Sequence, residues 1–212
     1  AAVDSRSGKA AASAVKYLKI AGADARTASA SKAALKVGFD ASLSPEHYRL
    51  KVTPEGAEIT AADEAALMYG IQTLMQLSKA GQGTVAACTI EDYPRFGYRG
   101  LMLDLVRCYI EPEEIKKFID IAASLKINNV HLHLTDDNGW RLEIKKYPRL
   151  TEVGAWRVAR PDLFPGRLNA RSADEPATEG GFYTQKEMRD IVKYAGERNV
   201  NIIPEIEMPA HS

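Results

Sequence analysis

The segment at residues 129–140 constrains the fold of this chain more than any other. Val130, Leu132 and Leu134 alternate with polar residues, which is the pattern of a β-strand whose two faces differ. Asp136 and Asp137 follow the strand directly, so two carboxylates lie at its carboxyl end. In a parallel α/β sheet or barrel, ligands bind in the loops at that end. The segment therefore predicts a parallel sheet with a polar site at its rim.

Strand and helix patterns alternate from residue 98 onward. Strands are predicted at about 98–104, 129–135 and 199–206. One helix begins at Pro112, and another opens with Thr184 in capping-box spacing. Right-handed crossovers would make the three strands parallel neighbours. The predicted buried stripe of the first helix is Ile115, Phe118, Ile119, Ala122 and Leu125, and that of the second is Met188, Ile191, Val192 and Ala195.

Residues 1–93 have a different sequence pattern, which predicts a small α+β domain with an antiparallel sheet and helices. Two alternating runs flank the turn at residues 54–56 and indicate a β-hairpin. A helix follows at 63–79, with Asp63 as its cap and Gly81 as a left-handed residue at its end. The first 30 residues predict only a marginal helix leading into a strand. Because Pro94 interrupts regular structure, we place the boundary there, which gives domains 1–93 and 94–212.

Charge and hydropathy exclude two classes of partner. Lys plus Arg and Asp plus Glu both number 28, so the formal net charge is zero. The sequence therefore lacks the excess of basic residues that is typical of nucleic-acid binding. No apolar run approaches the ~20 residues that a membrane-spanning helix requires. We therefore expect neither a nucleic-acid nor a membrane partner.

The connection at residues 136–183 is far longer than a usual strand-to-helix loop. Its aromatic content favours a functional loop over a disordered one. Trp140 and Trp156 either line a sugar site or anchor the loop.

Four segments together resemble the family 20 glycoside hydrolases, the β-N-acetylhexosaminidases. Residues 98–104, 131–141 and 204–212 resemble the first three strands of that family's barrel, and 70–77 resembles a helix in the small domain before it. The resemblance implies an α/β fold, in which a small α+β domain precedes a (β/α)₈ TIM barrel. The barrel would be incomplete here, because the match ends with the third of eight strands.

The resemblance also implies an activity and its partners. These enzymes release terminal N-acetylglucosamine or N-acetylgalactosamine with retention, and the acetamido oxygen of the substrate attacks the anomeric carbon. They need no cofactor and no metal, and resemblance favours a secreted, periplasmic or lysosomal-type compartment. The family's catalytic Asp-Glu pair lies on the fourth strand. We therefore expect residues 1–212 to be inactive alone and to pair with the remainder of the barrel, as a second chain, or to self-associate through the open sheet edge.

Site residues transfer by position within the resembling segments. Arg99 matches an arginine that binds sugar hydroxyls in the terminal subsite. Asp136 and His211 match catalytic-site residues that hydrogen-bond in series with the glutamate of the missing pair. Further candidates for a supporting role are Asp137, Glu207 and His133.

Two other functions fit parts of the sequence. A non-catalytic carbohydrate-binding module would keep the scaffold and the sugar contacts without an acid. A metal-dependent amidohydrolase would use His131 and His133, since an H-x-H pair on a strand places both imidazoles on one face. Here the pair lies on the second strand and acids follow it, which favours a packed, hydrogen-bonded pair in the barrel interior.

Overall fold

The structure is a computed structural model that describes residues 1–160 and 174–209. The chain divides into two compact units, Ala1–Gly97 and Tyr98–Ser212. No described helix is both long and apolar enough to cross a membrane.

The first unit is a six-stranded mixed sheet with two helices. Its elements are β1 (Ala2–Asp4), α1 (Gly8–Ile20), β2 (Arg26–Ala28), β3 (Leu35–Phe39), β4 (Tyr48–Thr53), β5 (Gly56–Ala61), α2 (Glu64–Ala80) and β6 (Cys88–Asp92). The strand order is β2-β1-β3-β5-β4-β6. The predicted hairpin is confirmed as β4 and β5, which pair antiparallel from Tyr48↔Ala61 to Thr53↔Gly56.

The prediction of an antiparallel sheet in this unit is wrong for three of its five strand pairs. The pairs β1–β2, β1–β3 and β3–β5 are parallel, and only β4 runs antiparallel to its neighbours β5 and β6. The physical reason is α1, which crosses over between β1 and β2 and lets both strands run the same way. This helix is 13 residues long and buries Ala14, Tyr17 and Leu18, so the first 30 residues hold more structure than predicted.

Helix α2 begins as predicted and ends differently. Asp63 caps its first turn, with a carboxylate oxygen accepting a hydrogen bond from the Ala66 amide at 2.8 Å. Gly81 is not left-handed, since its φ is −88°, and the positive φ values fall on Gln82 and Gly83. A Cβ atom at Gly81 would lie 2.1 Å from the Thr84 carbonyl oxygen, so close approach requires the glycine.

The second unit contains a three-stranded parallel sheet. Its elements are β7 (Gly100–Asp104), α3 (Pro112–Ser124), β8 (Asn129–His133), β9 (Thr135–Asp136), β10 (Gly139–Trp140), α4 (Arg149–Glu152), β11 (Trp156–Arg157), β12 (Glu179–Gly180), α5 (Gln185–Gly196) and β13 (Asn201–Glu205). The order β13-β8-β7 is parallel throughout, as predicted. In the long connection, β9 pairs with β10 and β11 pairs with β12, both antiparallel.

The helices of this unit pack with narrower apolar stripes than predicted. Ile115, Ile119 and Ala122 of α3 are buried, but Phe118 is 40% exposed and Leu125 is 63% exposed. In α5, Ile191 and Ala195 are buried and Val192 is exposed. The reason is geometric, because 100° per residue places Phe118 and Leu125 beside the exposed Ile121, at one edge of the predicted stripe.

The predicted capping box at the start of α5 is confirmed. The Thr184 hydroxyl oxygen accepts from the Glu187 amide at 3.2 Å, and the Glu187 carboxylate accepts from the Thr184 amide at 2.8 Å. We expect Thr184→Ala to lower the free energy of unfolding of the second unit by about 1 kcal/mol. Urea denaturation followed by circular dichroism measures this change. Thr184→Ser keeps the acceptor and should remain close to the parent, and equal losses in both variants would contradict a capping role.

Candidate active site

The parallel register brings three polar side chains into one row at the carboxyl ends of the strands. Asp104 pairs with His133 across β7 and β8, and Glu205 pairs with His133 across β13 and β8. Residues in register across a sheet point to the same face. The segments that follow these strands add Arg107, Asp136 and Glu207. We call these six residues the rim cluster.

Glu205 lies between two imidazoles. Its Oε2 atom is 2.6 Å from Nε2 of His131 and 3.2 Å from Nδ1 of His133. Burial raises the pKa of the Glu205 carboxyl, but a hydrogen bond with Glu207 and the charges of His133 and His131 outweigh burial and hold the pKa below its usual value. This arrangement agrees with the prediction of a hydrogen-bonded histidine pair on one face.

Asp136 is buried and holds two different partners with one oxygen. Its Oδ2 atom lies 2.6 Å from the Arg107 guanidinium and 3.1 Å from Nε2 of His133. Its Oδ1 atom accepts from the Asp137 amide at 2.7 Å. Asp137 therefore supports Asp136 through its main chain. The structure brings together four of the predicted residues, Asp136, Asp137, His133 and Glu207.

Arg107 is a site residue that sequence reasoning missed. It follows the carboxyl end of β7 by three residues, and the Asp104 carboxylate accepts hydrogen bonds from its amide at 3.1 Å and its guanidinium at 3.2 Å. The side chain is 30% exposed, so part of its fork of donors faces solvent. Asp136 was selected because ligands bind at the carboxyl ends of parallel strands. The same argument applies to the residues after Asp104 and would have selected Arg107.

Arg141 fixes the turn that precedes Arg107. Its buried guanidinium donates to the carbonyl oxygens of Leu105 and Val106 at 3.0 and 2.6 Å. It also donates to the carbonyls of Ala155 and Gly181 at 2.6 and 3.0 Å. Burial lowers the pKa of this arginine, and the charge of Arg157 lowers it further. One side chain thus joins the loop after β7 to two parts of the long connection.

Arg99 does not lie with the rim cluster. Its Nε atom donates to the Lys126 carbonyl at 2.7 Å, and its amide donates to the Asn128 side chain at 2.9 Å. It immediately precedes β7, at the amino end of the strand. Five residues at about 3.3 Å each separate it from Asp104, which is roughly 16 Å along the strand. The structure therefore places Arg99 at the end of β7 opposite the rim cluster, although the resemblance assigned it to the sugar-binding subsite.

The other predicted residues divide between described and undescribed parts of the chain. Glu207 donates its amide to the Thr135 hydroxyl at 2.7 Å, and its carboxylate lies within 4.8 Å of ligand atoms on His133 and Glu205. His211 lies outside the described residues.

The two tryptophans of the long connection have different surroundings. The indole N–H of Trp140 donates to the Leu142 carbonyl at 2.6 Å, which favours the anchoring interpretation for this residue. Trp156 is 39% exposed and lines an open cavity of about 540 Å³ with Glu152, Val153 and Ala177.

These features define the class of protein: a mixed α/β chain whose parallel strands present carboxylates, imidazoles and a guanidinium at one rim. Residues 96–212 match the family described as glycosyl hydrolase family 20, catalytic domain, and residues 1–93 match glycosyl hydrolase family 20, domain 2. The chain belongs to glycosyl hydrolase family 20.

Relatives and solved structures agree with this assignment. A β-hexosaminidase of Porphyromonas gingivalis is 43% identical over 190 residues, which are 84% of this chain and 23% of that protein. An N,N′-diacetylchitobiase of Vibrio harveyi is 38% identical over 170 residues, which are 78% of this chain and 19% of that protein. The chain thus spans about a fifth of the length of these two relatives.

Two solved structures have the same fold over nearly all of this chain. A family 20 exo-β-N-acetylglucosaminidase of Vibrio harveyi, in complex with N-acetylglucosamine, superimposes with a TM-score of 0.80 at 36% identity, covering 100% of this chain and 33% of that one. A β-N-acetylhexosaminidase of Bacteroides fragilis superimposes with a TM-score of 0.81 at 33% identity. The match covers 99% of this chain and 41% of that one.

Proposed function

We propose that the protein carrying this chain is an exo-β-N-acetylhexosaminidase, which hydrolyses terminal N-acetylglucosamine or N-acetylgalactosamine from glycans with retention. Family membership and the names of the relatives support this proposal. The observation that carries it is the rim cluster, in which a buried Asp136 is held between His133 and Arg107 at the carboxyl ends of parallel strands.

The proposed architecture assigns residues 1–93 to an accessory α+β domain and 94–212 to the first part of a (β/α)₈ barrel. The second unit supports this assignment, because β7, β8 and β13 are parallel neighbours and α3 and α5 lie between them in the chain. The matched ranges of the two family domains also meet near residue 94.

Each residue of the proposed site has a role that follows from its contacts. Arg107 offers sugar hydroxyls a guanidinium whose remaining donors face solvent. Asp136 holds Arg107 and, through the same oxygen, orients His133. We keep His211 as the residue that connects Asp136 to the proton donor, as the resemblance implies. Arg99 instead joins the start of β7 to the turn before β8, so we assign the sugar-binding role to Arg107.

Substrate assistance gives a direct test with the full-length protein. We expect hydrolysis of a chromogenic N-acetyl-β-glucosaminide and none of the corresponding β-glucoside, because the glucoside lacks the acetamido oxygen that attacks the anomeric carbon. A spectrophotometric assay with both substrates measures the difference. Equal turnover of the two would contradict substrate assistance, and sugar binding without any turnover would favour the non-catalytic carbohydrate-binding module.

A further inference from the structure

Both ring nitrogens of His133 face carboxylates. Nε2 lies 3.1 Å from Oδ2 of Asp136, and Nδ1 lies 3.2 Å from Oε2 of Glu205. A neutral imidazole has a single N–H, whereas the imidazolium has two, so only the charged ring can donate to both carboxylates. His133 is therefore a buried cation, with a side chain that is 10% exposed, and it joins Asp136 to Glu205.

The position of this ring is coupled to the position of Arg107. Nη2 of Arg107 lies 2.6 Å from the same Oδ2 atom of Asp136, and Nη1 lies 3.4 Å from Nε2 of His133. Two cations lie this close because one carboxylate oxygen accepts hydrogen bonds from both of them. A change in the charge or tilt of the ring therefore alters the contact by which Asp136 holds the guanidinium.

Glu205 supplies a second carboxylate to the ring and is itself held in place. Asp136 shares its Oδ2 atom with the guanidinium, so the imidazolium of His133 depends on Glu205 to balance its charge. Nε2 of His131 lies 2.6 Å from Oε2 of Glu205, and the Glu205 carbonyl accepts a hydrogen bond from the Leu134 amide at 3.2 Å. Because a buried charge without its partner is costly, removal of the Glu205 carboxylate would move the ring or discharge it.

We propose that Glu205 is a positioning residue of the sugar site. It acts through His133, which together with Asp136 sets the direction of the Arg107 guanidinium. This role rests on the proposed function, because Arg107 is the residue assigned to the sugar hydroxyls. Glu205 need not touch the sugar, since its carboxylate fixes the charge and orientation of the ring. The carboxyl end of β13 thereby contributes to a contact made after β7, which lies on the other side of β8.

A double-mutant cycle in the full-length protein tests this role. Glu205→Gln removes the charge with little change of shape. We expect it to lower kcat/KM for a chromogenic N-acetyl-β-glucosaminide about 10-fold, which is the effect of one hydrogen bond to a charged group. In the Arg107→Gln background the same substitution should cost less than about 3-fold, since the guanidinium that it would misalign is already absent. A loss of about 10-fold in both backgrounds would overturn the proposal, because an effect on the fold alone does not depend on Arg107.

Two further variants complete the cycle. Glu91→Gln in the first unit is the matched control, because Oε1 of Glu91 lies 3.0 Å from Nε2 of His47, outside the rim cluster. This variant should keep the parent's kcat/KM. Glu205→Asp keeps the charge but draws the carboxylate back from His133, so it should show a smaller loss with the same coupling to Arg107. It replaces Glu205→Gln in the cycle if thermal unfolding shows that Glu205→Gln does not fold.

The outcomes distinguish the positioning role from the proposed function. An unchanged kcat/KM in Glu205→Gln, or an equal loss in Glu91→Gln, overturns the positioning role. A parent protein that hydrolyses no N-acetyl-β-glucosaminide contradicts the proposed function instead. The same cycle is then measured by isothermal titration calorimetry with N-acetylglucosamine. Coupled losses of affinity support the positioning role, and independent losses or the absence of binding overturn it.

Discussion

Arg107→Gln should reduce kcat/KM for a chromogenic N-acetyl-β-glucosaminide roughly 100-fold, because hydrogen bonds from a charged donor contribute about 1.5–3 kcal/mol. The variant removes the guanidinium that Asp136 and Asp104 hold at the rim. It also leaves the buried Asp136 carboxylate without its 2.6 Å partner. Steady-state kinetics of the full-length protein, with folding checked by circular dichroism, measures the loss.

Arg99→Gln is the decisive comparison for this prediction. The two arginines are eight positions apart in one segment, but only Arg107 lies at the carboxyl end of β7. Arg99→Gln should keep nearly all of the parent's kcat/KM, since its described contacts are with Lys126 and Asn128. The opposite ranking, with Arg99→Gln impaired and Arg107→Gln active, would return the sugar-binding role to Arg99.

Arg107→Lys separates charge from geometry. A lysine keeps the positive charge opposite Asp136 but loses the planar fork that can bind a carboxylate and a hydroxyl together. We therefore expect kcat/KM of Arg107→Lys to be about 10-fold below that of the parent and above that of Arg107→Gln, because only the hydrogen bond is missing. Full activity of the lysine variant would show that charge alone supports the site.

Local sequence patterns predicted the elements of the second unit well. Alternation placed β8 and identified the face of His131 and His133, and the capping-box spacing placed the start of α5 within one residue. These features depend on neighbours in the sequence, so the sequence contains their signal. The parallel neighbours of β1 do not have such a signal, because three-residue strands acquire their place only by pairing with residues more than 20 positions away.

The site was predicted in part for the same reason. Asp136 was found because it directly follows a strand with a clear pattern. Arg107 is separated from its strand by a turn, and that turn takes its shape from Asp104, which accepts the amides of Val106 and Arg107, and from the distant Arg141. The resemblance assigned the sugar-binding role to Arg99, which precedes β7, whereas the contacts at the rim lead us to propose Arg107, which follows that strand. The end of the strand at which a side chain lies decides whether it can reach the site only when the neighbouring strands are in register.

Arg141→Met should be the most destabilising single substitution in the second unit, lowering its free energy of unfolding by about 4 kcal/mol. Methionine fills similar space but leaves the carbonyls of Leu105, Val106, Ala155 and Gly181 without this donor. A buried carbonyl that loses its partner costs about 1–3 kcal/mol, and relaxation of the loops recovers part of that sum. Urea denaturation measures the total, and hydrogen exchange of the Leu105 amide reports the local opening.

Arg198→Met is the matched control for this effect. Arg198 is also a buried residue, but it pairs with Asp120, whose side chain is 47% exposed. Water can solvate that carboxylate when the arginine is removed, so the expected loss is about 1 kcal/mol. If both variants lose equal stability, burial of the side chain and not the four carbonyls determines the cost. If Arg141→Met loses more stability than Arg198→Met, its kcat/KM should fall too. The reason is that the turn that carries Arg107 loses the guanidinium that fixes it.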